Sequence, residues 1–329
     1  MLKLCYIFLL NVFVISHCVA QKTILQNRES VLDSANSYRD TSLNNRKRFG
    51  IAGEVWKSII LSAPGDFNQM GAYVTKDWRK TSAYLGGIAL LILADKPVTQ
   101  WYQDKVEKNI NYQFPKLPNG NFNLFFSGND AYLNYSIIAL YGGSFLGKYK
   151  TGQRAALNSL KALTYSYLIC QVSLKALFAR QRPDPKLSDG IEPKPPFTGN
   201  PHNFFNFRRV SFTTGPDATS FPSFHATSYY AVAKVLAMEF HNYWIPYSAV
   251  TLLFFADVDS HRHWVGDMIA GGLLGTLIGH GIVSSSRLFE KKRTQNKIDK
   301  IANKRPNMSY QILPTFSSNM TGLTFHLSL

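Results

Sequence analysis

The sequence predicts an all-α protein, a helical bundle of about six core helices followed by a short C-terminal strand or hairpin. Between residues 78 and 283, apolar residues recur at spacings of three and four, which is the spacing of one helix face. Clusters of glycine and proline separate these apolar segments from one another. Only near the C-terminus do apolar residues alternate with polar ones, as they do along a strand.

The composition favours anionic partners. The chain has 329 residues, of which 45% are hydrophobic and 17% charged, and its formal net charge is +16 with a pI near 9.7. A chain of this length can bury the core of one large domain. The sequence shows no nucleic-acid-binding motif, so the positive charge indicates a membrane surface or a phosphorylated substrate rather than nucleic acid.

The first 20 residues resemble an export signal. Lys3 gives the positive start, an apolar run follows, and small residues end at Ala20. The run is shorter than the ~20 residues that a membrane span needs, although an uncleaved anchor or a lipid anchor at Cys18 remains an alternative. We therefore expect export to the periplasm or membrane of a bacterial-type cell envelope. Cleavage after Ala20 would leave Cys170 as the only cysteine, so no internal disulfide could form.

A series of helices is expected after an N-terminal lead-in over residues 21–76. Residues 21–50 are polar and are expected to be loosely ordered, and residues 51–61 are expected to form a short amphipathic helix that stops before Pro64. The helices that follow are predicted over residues 78–94, 97–109, 132–146, 155–181, 226–240, 245–256 and 267–283. In the second of these, Trp101 is expected to face inward.

Glycines mark two of these helices for close packing. A glycine has no side chain, so it lets the backbones of two helices approach closely. The glycines concerned are Gly142 and Gly143 in the helix over 132–146, and Gly271, Gly272, Gly275 and Gly279 in the last helix.

Two segments outside these helices have distinct compositions. The loop over residues 184–220 is long for a compact domain, which favours a lid over a site. Its Arg208 and Arg209 are interleaved with phenylalanines, for which a small local hydrophobic cluster with two surface charges is the alternative that we favour. The tail is basic over residues 287–305, as in a solvated helix or a contact to anionic lipid, and alternates like a strand over residues 323–329.

Lys175 to Pro183 is the first segment that suggests chemistry. Lys175 and Arg182 are seven residues apart, two turns of a helix with ~3.6 residues per turn, so both cations would lie on one face. Pro183 would then end the helix. Two fixed cations at a helix end can bind an anion, most naturally a phosphate, because a guanidinium fork matches its oxygens. A solvated helix face is the alternative for the same spacing.

Two later segments supply the other groups that phosphate chemistry needs. Ser223 comes just before a predicted helix, where its hydroxyl and the first backbone N–H groups would face an anion. His263 can attack phosphorus as a nucleophile, and Asp267, four residues later, can hold its tautomer and stabilise the cation that forms. His225 can protonate the leaving group as a general acid. For both histidines, ordinary packing in the core or at the surface is the alternative.

Together these three segments resemble the phosphatidic acid phosphatase type 2 / vanadium haloperoxidase superfamily. That family shows Lys-x6-Arg-Pro, Pro-Ser-Gly-His and Ser-Arg-x5-His-x3-Asp, in this order along the chain. The first pattern matches in full from Lys175, and the second matches with Phe224 in place of the glycine. The third matches at His263 and Asp267.

The resemblance covers about residues 78–283 and implies both a domain layout and a mechanism. The layout is a PAP2-like helical domain at residues 77–286, followed by a basic linker and a β tail at residues 287–329. In the family the histidine of the third pattern, here His263, becomes phosphorylated, and water then hydrolyses the phosphohistidine. The resemblance implies that no metal or other cofactor is needed. In the haloperoxidase branch the same pocket holds vanadate.

The chain departs from the third pattern where the family has Ser-Arg. Ala256 and Asp257 stand there, and a carboxylate near a bound phosphate would repel it. Three explanations are open. Arg262 takes over the contact to the phosphate oxygens, Arg208 or Arg209 reaches in from the long loop, or the protein binds its ligand without turning it over.

Phe224 is the smaller departure. Its backbone N–H can still face a phosphate, provided that its φ is negative and its ring points away. The expected catalytic residues are His263, His225 and Asp267. The expected phosphate-binding residues are Lys175, Arg182, Ser223, Phe224 and Arg262.

The sequence therefore predicts a metal-independent phosphatase that hydrolyses a phosphate monoester or diphosphate. A phosphorylated lipid is the expected substrate and the membrane surface an expected partner. The alternatives are a vanadate-dependent haloperoxidase and a non-catalytic envelope protein that binds anionic lipid. A metal site formed by His261 and His263 with Asp257 or Asp259 is a further alternative for these two histidines.

Overall fold

The computed structural model describes residues 37–110, 112–115, 131–190, 197–207, 209–210, 219–256, 262–302, 309–317 and 320–328. The expected signal at residues 1–20 lies outside this set. The described residues are predominantly helical, so the predicted all-α fold is confirmed. They fall into two compact units, one that ends at Ser286 and one that starts at Arg287.

The predicted helices are present, with some boundaries that differ from the predicted ones. The helices are α1 (Ser37–Lys76), α2 (Trp78–Leu93), α3 (Asp95–Lys105), α4 (Ala131–Leu146), α5 (Lys150–Ser166), α6 (Lys175–Phe178), α7 (Phe224–Phe240), α8 (Trp244–Phe255) and α9 (Val265–Ala302). A π-helical stretch, Tyr167–Leu174, joins α5 to α6, and short 3₁₀ turns cover Glu107–Asn109 and Leu187–Asp189. The strands are β1 (Arg182–Pro183), β2 (Phe197–Thr198), β3 (Ser309–Ser317) and β4 (Met320–Ser328).

The long helix α1 corrects the prediction for the lead-in. It runs for 40 residues through Pro64, where the sequence predicts a stop. Proline removes one backbone donor and strains the preceding turn. Near it, Lys161 Nζ donates to the Ile59 carbonyl at 3.0 Å and Ser62 Oγ donates to the same oxygen at 3.1 Å. Lys161 of α5 therefore supplies a tertiary hydrogen bond, and Ser62 a local one, that stabilise α1 next to the proline.

The core of the larger unit is centred on α7. Tyr229 and Val232 are 2% and 1% exposed, and they pack with Leu163 of α5 and Phe254 of α8. Burying each large apolar side chain contributes about 1.5–3 kcal/mol relative to exposure. Since the N-terminus of α7 carries Ser223 and His225, this core fixes the position of two expected site residues.

Close contact between α7 and α9 depends on glycine. A Cβ at Gly271, Gly275 or Gly279 would lie 2.5, 2.1 or 2.5 Å from a backbone carbonyl oxygen of Ser223, Thr227 or Ala231, respectively. The predicted tight packing along this stripe is confirmed. The same prediction is wrong for Gly142 and Gly143 of α4, since a Cβ there would meet nothing within 4 Å.

The helix that leads to Arg182 ends earlier than predicted. It stops at Phe178, and Ala179 has a φ of 40°, in the left-handed region that is rare for a residue with a side chain. Arg182 therefore does not share a helix face with Lys175. It lies in β1, which pairs in parallel with β2 through Arg182 and Phe197.

The surface helices differ from the predicted pattern. Helix α2 is apolar but has no buried residue, and its Trp78 and Leu90 are each 68% exposed. Trp101 of α3 is 60% exposed, so the prediction that it faces inward is wrong. The reason is that α3 buries its polar face, which consists of Asp95, Thr99 and Tyr102.

Among the described residues, one helix is long and apolar enough to cross a membrane by length and composition, over Val265–Asp299 of α9. Its apolar stretch is 50% buried inside the protein, which is also the property of a core helix. The glycine stripe against α7 accounts for that burial.

The smaller unit contains the C-terminal hairpin. Strands β3 and β4 pair antiparallel, with Ser309 opposite Ser328 and Ser317 opposite Met320. The predicted C-terminal hairpin is confirmed. Ile312, Leu313 and Leu323 are 48%, 50% and 64% exposed.

Candidate active site

The three segments that the sequence singles out meet at the N-terminal ends of α7 and α9. The backbone N–H of Ser223 donates to the carbonyl of Asp267 at 3.0 Å. Cys170 Sγ donates to the carbonyl of Pro222 at 3.4 Å, five residues before Lys175. These contacts hold the start of α7 against the first turn of α9 and against the middle of the π-helical stretch, and the predicted site residues lie on or next to these segments.

Asp267 is completely buried in the first turn of α9. Its Oδ1 accepts a hydrogen bond from Arg180 Nη1, and its Oδ2 accepts one from Ser220 Oγ. Burial raises the pKa of Asp267 to about 6, because removal from water penalises the charged form more than these donors stabilise it. The carboxylate is ionised at neutral pH and becomes protonated in mild acid.

His263 lies four residues before Asp267 and is 4% exposed. Its Nδ1 is 3.8 Å from Asp267 Oδ2, which is longer than a hydrogen bond but close enough for the carboxylate to stabilise a positive charge on the ring. The next residue, Trp264, is completely buried, and its indole N–H donates to the Gln181 carbonyl at 2.9 Å. That bond ties the segment of His263 to the segment of Arg182.

Lys175 is a buried cation at the site. It is 6% exposed, and burial lowers its pKa to about 8, with the charge of Arg182 as a smaller cause in the same direction. The Cys170 thiol and the Asp267 carboxylate act in the opposite direction. Burial also lowers the pKa of Arg182, while the negative charge of Asp267 raises it. Both cations therefore lie within the electrostatic reach of Asp267.

Arg262 is the third cation. It is exposed, has a φ of 43°, and its guanidinium lies 5.2 Å from the centroid of the Phe197 ring. Its positive charge lowers the pKa of Arg182, so the two guanidinium groups are close enough to repel each other. Lys175, Arg182 and Arg262 thus concentrate positive charge that an anion would neutralise.

The N-terminus of α7 adds backbone donors. Ser223 caps the helix, with its Oγ accepting from the Ala226 N–H at 3.4 Å. Phe224 is the first residue of the helix, and its ring is buried against Tyr167 at a centroid distance of 6.0 Å. Both conditions for a usable N–H at Phe224 are therefore met. His225 follows, half-buried, with its ring 5.9 Å from that of Phe224.

Arg180 is the site residue that the sequence does not single out. Its side chain is completely buried and lies between two carboxylates, donating to Asp267 Oδ1 and, at 2.8 Å, to Asp95 Oδ2. Asp95 Oδ1 accepts from the Gly266 N–H at 2.8 Å, and Thr99 Oγ1 accepts from the Val265 N–H at 3.1 Å. Side chains of α3 thus cap the start of α9.

Residues 155–290 match the family model of the PAP2 superfamily. The chain carries a PAP2 superfamily domain. The matched stretch runs from α5 into α9 and contains all three predicted motifs, so the resemblance seen in the sequence is confirmed. The match supports a phosphatase- or haloperoxidase-type activity in general. No curated protein and no solved structure gives a significant match to the chain.

Several positions that matter to the PAP2 assignment lie outside the described residues. They are Arg208, Asp257, Asp259 and His261. The contact of Asp257 and the metal alternative for His261 therefore stay predictions. Within the part of the chain that the structure describes, no group of three or more His, Cys, Asp and Glu residues could hold a metal ion.

The long loop of the PAP2 domain brings an aromatic cluster to the site. Phe178 of α6 lies 5.0 Å from Phe221 and 5.4 Å from Phe205, measured between ring centroids. Phe204 packs against Phe221 at 5.4 Å, and Arg180 lies 4.6 Å from its ring centroid. Phe205 and Phe207 are 56% and 66% exposed. The expected local hydrophobic cluster is present, and it lies directly beside the buried ionic groups.

Proposed function

We propose that the protein is a metal-independent phosphatase that hydrolyses a phosphate monoester or diphosphate through a phosphohistidine at His263. The observation that carries this proposal is the buried pair of His263 and Asp267 beside the cations Lys175 and Arg182. An imidazole backed by a carboxylate is a nucleophile, and the cations can bind the oxygens of the group it attacks.

In the first step His263 Nε2 donates a lone pair to phosphorus. The N–P bond forms while the bond from phosphorus to the leaving oxygen breaks. Protonated His225 gives its proton to that oxygen, which leaves as an alcohol. The imidazole becomes positively charged, and Asp267 beside Nδ1 stabilises this charge.

In the second step a water molecule attacks the phosphohistidine. His225, now neutral, takes a proton from the water, the new O–P bond forms and the N–P bond breaks. Inorganic phosphate leaves, and His263 is neutral again. Lys175, Arg182 and Arg262 bind the non-bridging oxygens in both steps, and the helix start at Phe224 adds backbone N–H donors.

A phosphorylated lipid is the substrate we infer. The exposed rings of Phe205 and Phe207 belong to the aromatic cluster around Phe178, three residues after Lys175, and offer an apolar surface to an acyl chain. The net charge of +16 and the exposed apolar helix α2 suit an anionic membrane surface. With the predicted export signal, these features support a location in the periplasm or at the membrane of a cell envelope.

Phosphate release by the purified protein tests the proposal. Phosphatidate and a chromogenic monoester are supplied with and without a chelator, to the wild type, His263→Ala and His280→Ala. His280 is a matched control, since it lies on α9 against Tyr73 and Ser284. We expect loss of activity only in His263→Ala and an alkali-stable, acid-labile phosphoenzyme in the wild type.

Equal rates in the wild type and His263→Ala would refute the mechanism. Halide oxidation with added vanadate would indicate a haloperoxidase, whereas vanadate should inhibit a phosphatase. Lipid binding that survives His263→Ala, with no phosphate release from any protein, would indicate a non-catalytic envelope protein. A faster reaction with phosphatidate than with the chromogenic ester is the result expected for a lipid substrate.

A further inference from the structure

We propose that Arg180 and Asp95 are a positioning pair for Asp267. Arg180 orients the Asp267 carboxylate toward His263, and Asp95 keeps the net charge of this buried group negative. This inference rests on the proposed phosphohistidine chemistry. Asp95 lies outside the matched PAP2 stretch, so the pair joins helix α3 to the catalytic groups of the domain. Neither residue would touch the substrate.

The environment of Arg180 prevents its guanidinium from turning. Nη1 donates to Asp267 Oδ1 and Nη2 to Asp95 Oδ2, while Nε and Nη2 both donate to the Pro201 carbonyl, at 3.0 and 2.6 Å. The ring centroids of Phe204 and Trp264 lie 4.6 and 5.0 Å from its central carbon. Because a guanidinium is planar with its donors in a fixed fork, these contacts define a single orientation.

A fixed guanidinium determines which oxygen of Asp267 faces the histidine. Oδ1 is occupied by Arg180, so Oδ2 is the oxygen that receives Ser220 Oγ and lies 3.8 Å from His263 Nδ1. A free carboxylate could rotate and exchange its two oxygens. The contact to Arg180 removes that freedom, which keeps an acceptor beside Nδ1 throughout the reaction.

Asp95 makes the charge balance of the buried group favourable for the intermediate. Two carboxylates and one guanidinium carry a net charge of about −1 at neutral pH, and all three side chains are completely buried. A positive charge on His263 brings the total to zero. Without Asp95, Arg180 would neutralise Asp267 and the imidazolium would have no net counter-charge.

The titration of Asp267 reports on both partners. The charged or titratable groups around it are Arg180, Asp95, His263, Lys175, Arg182 and the buried thiol of Cys170. Burial raises its pKa, Arg180 lowers it, and the negative charge of Asp95 raises it. Removing Arg180 and removing Asp95 should therefore shift this pKa in opposite directions.

The pair of Arg154 and Glu239 provides a matched control. Arg154 Nη2 donates to Glu239 Oε2 at 2.6 Å, and the side chains are 15% and 0% exposed. Glu239 lies 16 residues after Ser223, which is about 24 Å along a helix, so this pair is far from the N-terminus of α7. It offers the same chemistry as Arg180 and Asp95 without access to His263.

The experiment compares Arg180→Lys and Asp95→Asn with Arg154→Lys and Glu239→Gln in the full chain. Rates of phosphate release are measured from pH 4.5 to 9 and corrected for the folded fraction. We expect kcat to fall about 100-fold in Arg180→Lys and about tenfold in Asp95→Asn, with little change in KM. The acid limb of kcat/KM should move to higher pH in Arg180→Lys and to lower pH in Asp95→Asn.

The control variants should lose stability but keep the wild-type kcat and pH profile. Unchanged kcat and an unmoved acid limb in Arg180→Lys and Asp95→Asn would overturn the proposal and leave the cluster a structural one. If Arg180→Lys yields no folded protein, the acid limb of Asp95→Asn decides alone. Activity that persists in His263→Ala would instead reject the proposed phosphohistidine function. The variants of Arg180 and Asp95 test only the positioning role, so the two failures can be told apart.

Discussion

Asp267 and Asp66 are both completely buried carboxylates that pair with a cation, yet their surroundings differ. Asp66 Oδ2 accepts from Lys161 Nζ at 2.6 Å and from the Tyr165 hydroxyl at 2.9 Å. Asp267 accepts from Arg180 and Ser220 instead, and it also lies 3.8 Å from an imidazole nitrogen. Burial raises the pKa of both carboxylates.

The difference lies in what each cluster fixes. The group around Asp66 stabilises the part of α1 that contains Pro64, because Lys161 also donates to the Ile59 carbonyl. The group around Asp267 fixes one carboxylate with a guanidinium that is itself held by a second carboxylate. A buried ion pair is therefore not a sign of a site by itself. The sign is a rigid carboxylate with one oxygen that also lies beside a group that can react.

The largest effect is expected from removing each carboxylate in turn. Asp267→Asn should lower kcat by about 10³-fold or more, because an amide cannot stabilise the imidazolium as a carboxylate does. Asp66→Asn should change the free energy of unfolding by no more than about 1–3 kcal/mol at neutral pH, because the lost counter-charge of Lys161 is offset by removal of a carboxylate whose charged form burial already disfavours. Its kcat per folded molecule should equal that of the wild type.

Denaturant unfolding and phosphate release on the same samples measure both quantities. A loss of kcat in folded Asp66→Asn would contradict the comparison, since both clusters would then support the reaction. Full activity in Asp267→Asn would contradict it too, since neither cluster would then support the reaction.

The site motifs are visible in the sequence because each carries its chemistry in a short segment. Local patterns predict Lys175, Ser223 and His263, and apolar spacing predicts the helices. Neither predicts Arg180, because on an uninterrupted helix it would point away from Lys175. Its burial depends on the left-handed turn at Ala179. Glycine is the usual sequence signal for such a turn, so an alanine at this position gives no indication of it.

Asp95 was missed for a different reason. An acidic residue at the start of a helix usually remains in solvent as a favourable charge. The signal that was present is the spacing of Asp95, Thr99 and Tyr102, which share a face, while Trp101 lies elsewhere. The polar face of α3 is buried because it packs against the start of α9, where backbone N–H groups need acceptors. This contact between distant segments is not visible in the sequence of α3.

Mild acid should separate the two clusters through opposite effects on activity and stability. The folded pKa of Asp267 is about 6, whereas an unfolded Asp titrates near ~3.9. Between these values the folded state binds more protons, so the contribution of Asp267 to stability rises as the pH falls. Activity should fall in the same interval, because protonated Asp267 has lost the charge that the imidazolium needs. Asp66 should contribute to the first trend only, since burial raises its pKa too.

Unfolding free energies and kcat/KM measured from pH 7 to 4.5 test this. Asp66→Asn should reduce the gain in stability on acidification and leave the acid limb of activity in place. An acid limb that moves in Asp66→Asn would contradict the separation.

The smallest effect is expected from two glycines that pack against the clusters. A Cβ at Gly266 would lie 2.6 Å from Asp95 Oδ2, and one at Gly65 would lie 2.7 Å from Ser285 Oγ. The Ser285 hydroxyl can rotate away at the loss of its hydrogen bond to the Ser62 carbonyl, whereas the Asp95 carboxylate is held by Arg180 and by the Gly266 N–H. Gly266→Ala should therefore lower kcat by about three- to tenfold through displacement of the pair, and Gly65→Ala should leave kcat unchanged with a stability change within about 1 kcal/mol. Equal kcat values for the two variants would mean that the position of Asp95 does not affect catalysis by His263. The functional distinction between the two clusters would then depend on Asp267 alone.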